Sequence, residues 1–161
     1  MLTAELILTE DEKDGIAALV AHYPIARAAC IDALKLVQAN RRYIADDVLA
    51  AIACLLSMSV AELDEVATFY NLIYRQPVGE TVILLCDSVT CWMMGRNKIA
   101  TRIGERLSIL DGETTADGKY TLLPIVCLGH CDHAPAMLLG QTLIGDLDTT
   151  KIDKLLSEKK Q

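Results

Sequence analysis

TVILLCDSVTC, residues 81–91, and YTLLPIVCLGHC, residues 120–131, share one pattern. Each opens with a short apolar run that favours a buried strand and closes on a pair of cysteines. Between them Ile99, Ile103, Leu107 and Leu110 recur at helical spacing. A strand, a helix and a second strand joined in this way form a right-handed crossover, so the strands run parallel and both carboxyl ends lie on one edge of the sheet. Cys86, Cys91, Cys127 and Cys131 then converge from two loops at the edge where open α/β sheets take their ligands. Pro124 inside the second run argues for an irregular or edge strand. LDGETTADGK at 110–119 reads as a loop, and Ala136–Leu139 and Thr142–Ile144 around Gly140-Gln141 as a hairpin. Asp148 or Thr149 caps a last helix that ends in Lys159 and Lys160.

Upstream of Gly79 the periodicity is helical from about Thr9 to Tyr74. Thr9 and Glu12 stand at capping-box spacing, followed by Ile16, Leu19, Val20 and Tyr23 on one stripe. Pro24 suits the first turn of a second helix, whose stripe of Cys30, Ala33, Leu34 and Val37 makes Cys30 a core residue. Asp46 or Asp47 caps a third helix, VLAAIACLL at 48–56, which is apolar nearly all round and treats Cys54 as packing too. Ser59 and Glu62 repeat the capping box, and helical spacing runs into the aromatic stretch TFYNLIYRQ at 68–76. Gln76-Pro77-Val78-Gly79 then breaks it. The expectation is an α+β chain, with an N-terminal helical bundle over 1–78 and an α/β unit over 79–161.

Composition narrows the function. The 161 residues are 52% hydrophobic and 23% charged, enough apolar content for a packed core and too much for disorder. Lys and Arg number 15 against 22 Asp and Glu, a net charge of −7 that lacks the basic footprint of nucleic-acid or anionic-membrane binding. The longest uncharged run, Val48 to Ala61, has 14 residues and is too short to cross a hydrocarbon core of roughly 30 Å as a helix. The opening MLTAELILTEDEKDG is acidic where a signal peptide is basic, so the chain is expected to stay in the cytoplasm. A reducing compartment turns six cysteines from a disulfide question into one of metal or thiol chemistry.

Four thiolates suit either a tetrahedral zinc or a 2Fe-2S cluster. Zinc knuckles more often space their paired ligands by two residues, whereas a two-iron cluster accepts longer loops such as C-x4-C. The dithiol motif C-x-x-C is absent. Gly129 and Gly95 offer places for backbone amides to approach sulfur, or simple turns. His130 and His133 flank Cys131 and read first as surface residues, then as groups that tune a site. Trp92, Met93 and Met94 either cover the site or seat a helix on the sheet, packing being the simpler role. Lys98, Arg102 and Arg106 line a solvated helix face. With no nucleophile–base set, phosphate-cradling turn or flavin signature, the chain by itself is not expected to bind NADH or transfer hydride.

CDSVTC at 86–91, GKYTLLPIVCLGHCDHAP at 118–135 and ATFYNLIYRQPVG at 67–79 resemble the E-type subunits of bacterial respiratory NADH:quinone oxidoreductase, respiratory complex I. The resemblance covers nearly the whole chain. It implies a helical region joined to a thioredoxin-like α/β ferredoxin domain, with Cys86, Cys91, Cys127 and Cys131 each at a ligand position of one 2Fe-2S cluster. It also implies an electron-transfer subunit, peripheral to the inner membrane on the cytoplasmic side. Its partner is then the F-type flavoprotein of the same complex, which holds FMN and NADH, with the G-type polypeptide nearby. Phe69, Tyr70 and Tyr74 are candidates for gripping that partner, with burial in their own helix bundle as the rival reading. Related subunits of NAD-linked hydrogenases and formate dehydrogenases share the motif, and a stand-alone ferredoxin or a zinc-stabilised interaction module are rival readings. A ferric cluster with four thiolates carries about −2 and its one-electron reduced form about −3, so surrounding charges and donors tune its potential. All-thiolate ligation places that potential nearer the roughly −400 mV of plant-type ferredoxins than the Rieske range.

Overall fold

The structure, a computed structural model, describes residues 7–158. The chain divides into two compact units, Met1–Pro77 and Val78–Gln161.

The first unit is helical: α1 Glu10–Val20, a 3-10 turn Ala26–Ala29, α2 Cys30–Arg41, α3 Asp46–Leu55 and α4 Val60–Phe69. Both capping boxes form. Thr9 Oγ1 accepts the Glu12 N–H at 3.2 Å while the Glu12 carboxylate accepts the Thr9 N–H at 3.0 Å, and Ser59 and Glu62 repeat the exchange. The core gathers Ile16, Leu34, Val37, Ile52 and Leu63 from all four helices. Glu12 is buried with them, because Arg41 on α2 meets its carboxylate with two N–H donors at 2.6 and 2.8 Å. The chain after α4 is tied back by Gln38, which donates to the Leu72 carbonyl at 2.8 Å and accepts the Tyr74 N–H at 2.6 Å.

Several expectations for this unit are corrected. Pro24 precedes the 3-10 turn rather than opening α2, whose start is displaced to Cys30 by that turn. Cys30 is only half-buried, and Cys54 faces solvent because the buried side of α3 is taken by Val48, Leu49, Ala51 and Ile52. Asp46 and Asp47 do not cap α3. They occupy its first turn behind Ala45, where negative charge still favours the helix dipole.

The second unit comprises β1 Thr81–Cys86, α5 Val89–Met93, α6 Arg96–Leu107, β2 Tyr120–Ile125, a 3-10 turn Cys131–His133, β3 Met137–Leu139, β4 Thr142–Ile144 and α7 Thr149–Glu158. The strands form one mixed sheet in the order β2-β1-β3-β4. β1 and β2 are parallel, in register from Thr81 opposite Tyr120 to Cys86 opposite Ile125, and β3 runs antiparallel to both β1 and β4. Gly79 starts this pairing, since its N–H reaches Thr121 Oγ1 at 2.7 Å and a Cβ there would lie 2.9 Å from the Lys119 and Tyr120 backbone. Pro124 is tolerated because β2 is an edge strand. Ile83, Leu85, Ile103, Leu122 and Ile152 fill the core between sheet and helices.

Here too the outcome differs in places. β2 ends at Ile125, so Cys127 lies in the following loop rather than on the strand. α6 ends at Leu107, where Ser108 turns left-handed at φ 57°, so Leu110 is exposed and Ile109 takes its place in the core. Arg102 and Arg106 are not simply solvated. Arg102 grips Asp153 on α7 with two donors at 2.6 and 2.9 Å, and Arg106 approaches the same carboxylate at 3.5 Å. Asp148 caps α7 by accepting the Lys151 N–H at 2.7 Å, while Lys159 and Lys160 lie outside the described residues. Among the described residues no helix is long and apolar enough to cross a membrane.

Candidate functional site

Four elements bring the cysteines to the carboxyl edge of β1 and β2. Cys86 is the last residue of β1, fixed by its N–H bond to the Ala136 carbonyl at 3.1 Å. Asp87 continues the register by donating its N–H to the Ile125 carbonyl at 2.8 Å, after which α5 carries Cys91 back over the edge. Cys127 and Cys131 come from the loop after β2, which ends in the 3-10 turn Cys131–His133. All of these cysteines are free thiols.

The set has an inner and an outer half. Cys86 and Cys91 are each 1% exposed and pack with Ala134, Ala136 and Leu128, whereas Cys127 and Cys131 face solvent. The outer sulfurs are 3.4 Å apart, and Gly129 aims its N–H at Cys127 Sγ from 3.4 Å. That amide can point so because Gly129 adopts φ 74°, a left-handed conformation that costs glycine little. Gly95, by contrast, donates to the Trp92 carbonyl and serves the turn between α5 and α6.

Electrostatics follow this division. Burial, with the adjoining Cys86 thiol, pushes the Cys91 thiol up to about 11. The Gly129 amide, and then the Cys131 thiol, hold Cys127 below the ordinary thiol value, while the bond to Cys127 raises Cys131. Cys131 also feels the charge of Cys86, and Cys91 that of Cys131, so the inner and outer halves act on one another. Among the described residues no three His, Cys, Asp or Glu side chains close on one point as a single-ion site. The donor set is four soft sulfurs in two pairs, the chemistry that suits thiophilic metal. The nearby imidazoles are otherwise engaged, His133 Nδ1 lying 2.8 Å from Asp146 Oδ2 and its ring 4.7 Å from that of His130.

Apolar residues flank the cysteines along the chain. Val89, Trp92, Met93, Met94 and Val126 are all exposed, Trp92 by 60% and Met93 by 73%, which corrects the packing role expected for Trp92, Met93 and Met94. α5 is only five residues long, and it buries Cys91 alone. In the helical unit Phe69 is 82% exposed and Tyr70 lies edge-on to it, while Tyr74 is half-buried. Sequence reading also passed over Arg96, a buried cation beside the first cysteine loop. Its signal was there: a cation opening a helix sits where the dipole favours an anion.

Comparison with known proteins agrees with this geometry. The family model described as thioredoxin-like [2Fe-2S] ferredoxin matches residues 16–160. The E-type subunit of NADH-quinone oxidoreductase from Pseudomonas aeruginosa is 42% identical over 154 residues, covering 96% of this chain and 93% of its own. The polypeptide of the same name from Escherichia coli K12 is 41% identical over 153 residues, covering 95% and 92%. A crystal structure of an NAD+-reducing [NiFe]-hydrogenase in the H2-reduced state superposes with a TM-score of 0.69 at 25% identity, over 81% of this chain and 22% of that one. The family model spans most of both units and the relatives cover nearly the whole chain, so the chain belongs to the thioredoxin-like [2Fe-2S] ferredoxin family.

Proposed function

We propose that the chain is a one-electron relay subunit of an NADH:quinone oxidoreductase, in which Cys86, Cys91, Cys127 and Cys131 hold one 2Fe-2S cluster. Residues 79–161 are then the cluster domain and 1–78 the helical domain. The observation that carries this reading is the arrival of two pairs of free thiols, Cys86 with Cys91 and Cys127 with Cys131, just beyond the carboxyl ends of two parallel strands. When bound, the cluster supplies storage of a single electron. The protein's own part is the environment. Cys86 and Cys91 provide a dry inner wall, the Gly129 N–H favours negative charge on Cys127, and the exposed Cys127 and Cys131 mark the side on which a redox partner approaches.

The exposed side chains of Val89, Trp92, Met93, Met94 and Val126, neighbours of the cysteines along the chain, support a protein partner, since aromatic residues and Met are enriched in interfaces. The relatives are named as subunits of NADH-quinone oxidoreductase, and on this reading the partner is the F-type flavoprotein of such a complex, holding FMN and NADH. The G-type polypeptide then lies nearby, and the assembly is peripheral to the inner membrane on its cytoplasmic face. The likeness to the hydrogenase favours a second reading, the equivalent subunit of an NAD-linked hydrogenase.

The test is the iron, acid-labile sulfide and zinc content of full-length protein purified without oxygen. About two irons and two sulfides per chain are expected, lost together in Cys86→Ser. About one zinc and no sulfide, with iron freely supplied, overturns the redox reading. Co-purification with the flavoprotein of a quinone-reducing complex, rather than with hydrogenase subunits, separates the first reading from the second.

A further inference from the structure

Arg96 opens α6 and is 7% exposed, an expensive place for a guanidinium unless its charge is used. Its Nη2 donates to Asp111 Oδ2 at 2.7 Å. Its Nε, buried and without a hydrogen-bond partner, lies 3.5 Å from Asp87 Oδ1. Asp87 is the residue directly after Cys86, and its N–H bond to Ile125 pins it to the edge where the thiols gather. α6 is the crossover helix between β1 and β2, so its first residue returns to that same edge. If packing alone were needed, a Met or Leu would fill the space without desolvating a charge. If surface pairing alone were needed, Asp87 and Asp111, both substantially exposed, would be reached from solvent.

We propose that Arg96 is a positioning residue for the cysteine site: clamped between Asp111 and Asp87, it holds the Cys86–Cys91 loop and offsets the carboxylate charge at the sheet edge, raising the reduction potential of the group bound there. The inference rests on the reading of Cys86, Cys91, Cys127 and Cys131 as cluster ligands. Reduction adds one negative charge to a cluster already at about −2, so a fixed cation nearby favours the reduced form and an anion opposes it. Arg96 acts through Asp87 and through its field.

The experiment is a redox titration of the full-length, cluster-loaded protein, followed by the electron paramagnetic resonance signal of the reduced cluster. In Arg96→Leu the reduced-to-oxidised ratio at fixed ambient potential is expected to fall about tenfold, equivalent to about 59 mV for one electron. In Asp87→Asn it is expected to rise, and Arg96→Lys, which keeps the charge, is expected to remain near the parent. Opposite shifts in the two neutralising variants are a signature that loosened packing does not produce. A midpoint unchanged in both, or moved in the same direction in both, overturns the proposal. Should Arg96→Leu fail to fold or to load, Asp87→Asn decides: a rise supports the role, and an unmoved midpoint overturns it. Parent protein that lacks two irons and two sulfides removes the cluster reading itself, an outcome visible before any variant is titrated.

Discussion

Glu12 holds two jobs in one carboxylate. It completes the capping box at the start of α1 and receives both donors of Arg41 on α2, with 1% of its side chain exposed. The Arg41 hydrogen bonds hold its carboxyl below the ordinary value, burial working against them. A carboxyl depressed on folding stabilises the protein above its unfolded value of about 4.3, and the contribution is lost as pH falls through the lower, folded value. Glu12→Gln is therefore expected to cost about 2 kcal/mol at neutral pH and almost nothing in strong acid. Thermal unfolding of parent and variant across that acid window checks this, and a gap that persists unchanged would refute it. The capping half of this arrangement was legible in sequence because it spans three residues. The Arg41 half was not, because nothing local indicates which of several arginines a buried carboxylate will meet 29 residues away.

Among the elements, α4 shows what local chemistry settles. Ser59 and Glu62 satisfy amide groups that the first turn of any helix leaves open, so its start lies where the sequence places it. Ser59→Ala is expected to destabilise the helical unit by about 1 kcal/mol, read as a lowered denaturant midpoint with an unchanged slope. α6 shows the opposite. The like-charged positions Arg102 and Arg106 look like a solvated stripe until α7 brings Asp153 beside them. The end of α6 also departs from its apolar spacing, because Ile109 competes with Leu110 for the same apolar site and the left-handed turn at Ser108 favours Ile109. Strand β2 falls two residues short of Cys127, and that gap lets the loop swing Cys127 outward to meet Cys131 at 3.4 Å.

At the scale of the whole molecule, the exposed apolar residues that neighbour the cysteines along the chain are the ones to test for assembly. Trp92→Ser combined with Met93→Ser is expected to weaken capture of the flavoprotein partner by more than about tenfold, as for loss of an aromatic anchor, while iron and sulfide per chain stay unchanged. Capture that survives intact would move the interface elsewhere, Phe69 on the helical unit being the next position to change. Legible along the chain were the α+β order, the capping boxes, the crossover that makes β1 and β2 parallel, and the two cysteine pairs that close the two strand segments. Each of these follows from periodicity or spacing over a few residues, where backbone geometry leaves few alternatives. Packing, and not local sequence, places Cys86 and Cys91 inside while Cys127 and Cys131 face out, exposes Trp92 and Met93, and buries Arg96 against Asp87. Burial and charge pairing depend on which distant surfaces close over a residue, and that is fixed by packing of the whole unit rather than by neighbours along the chain.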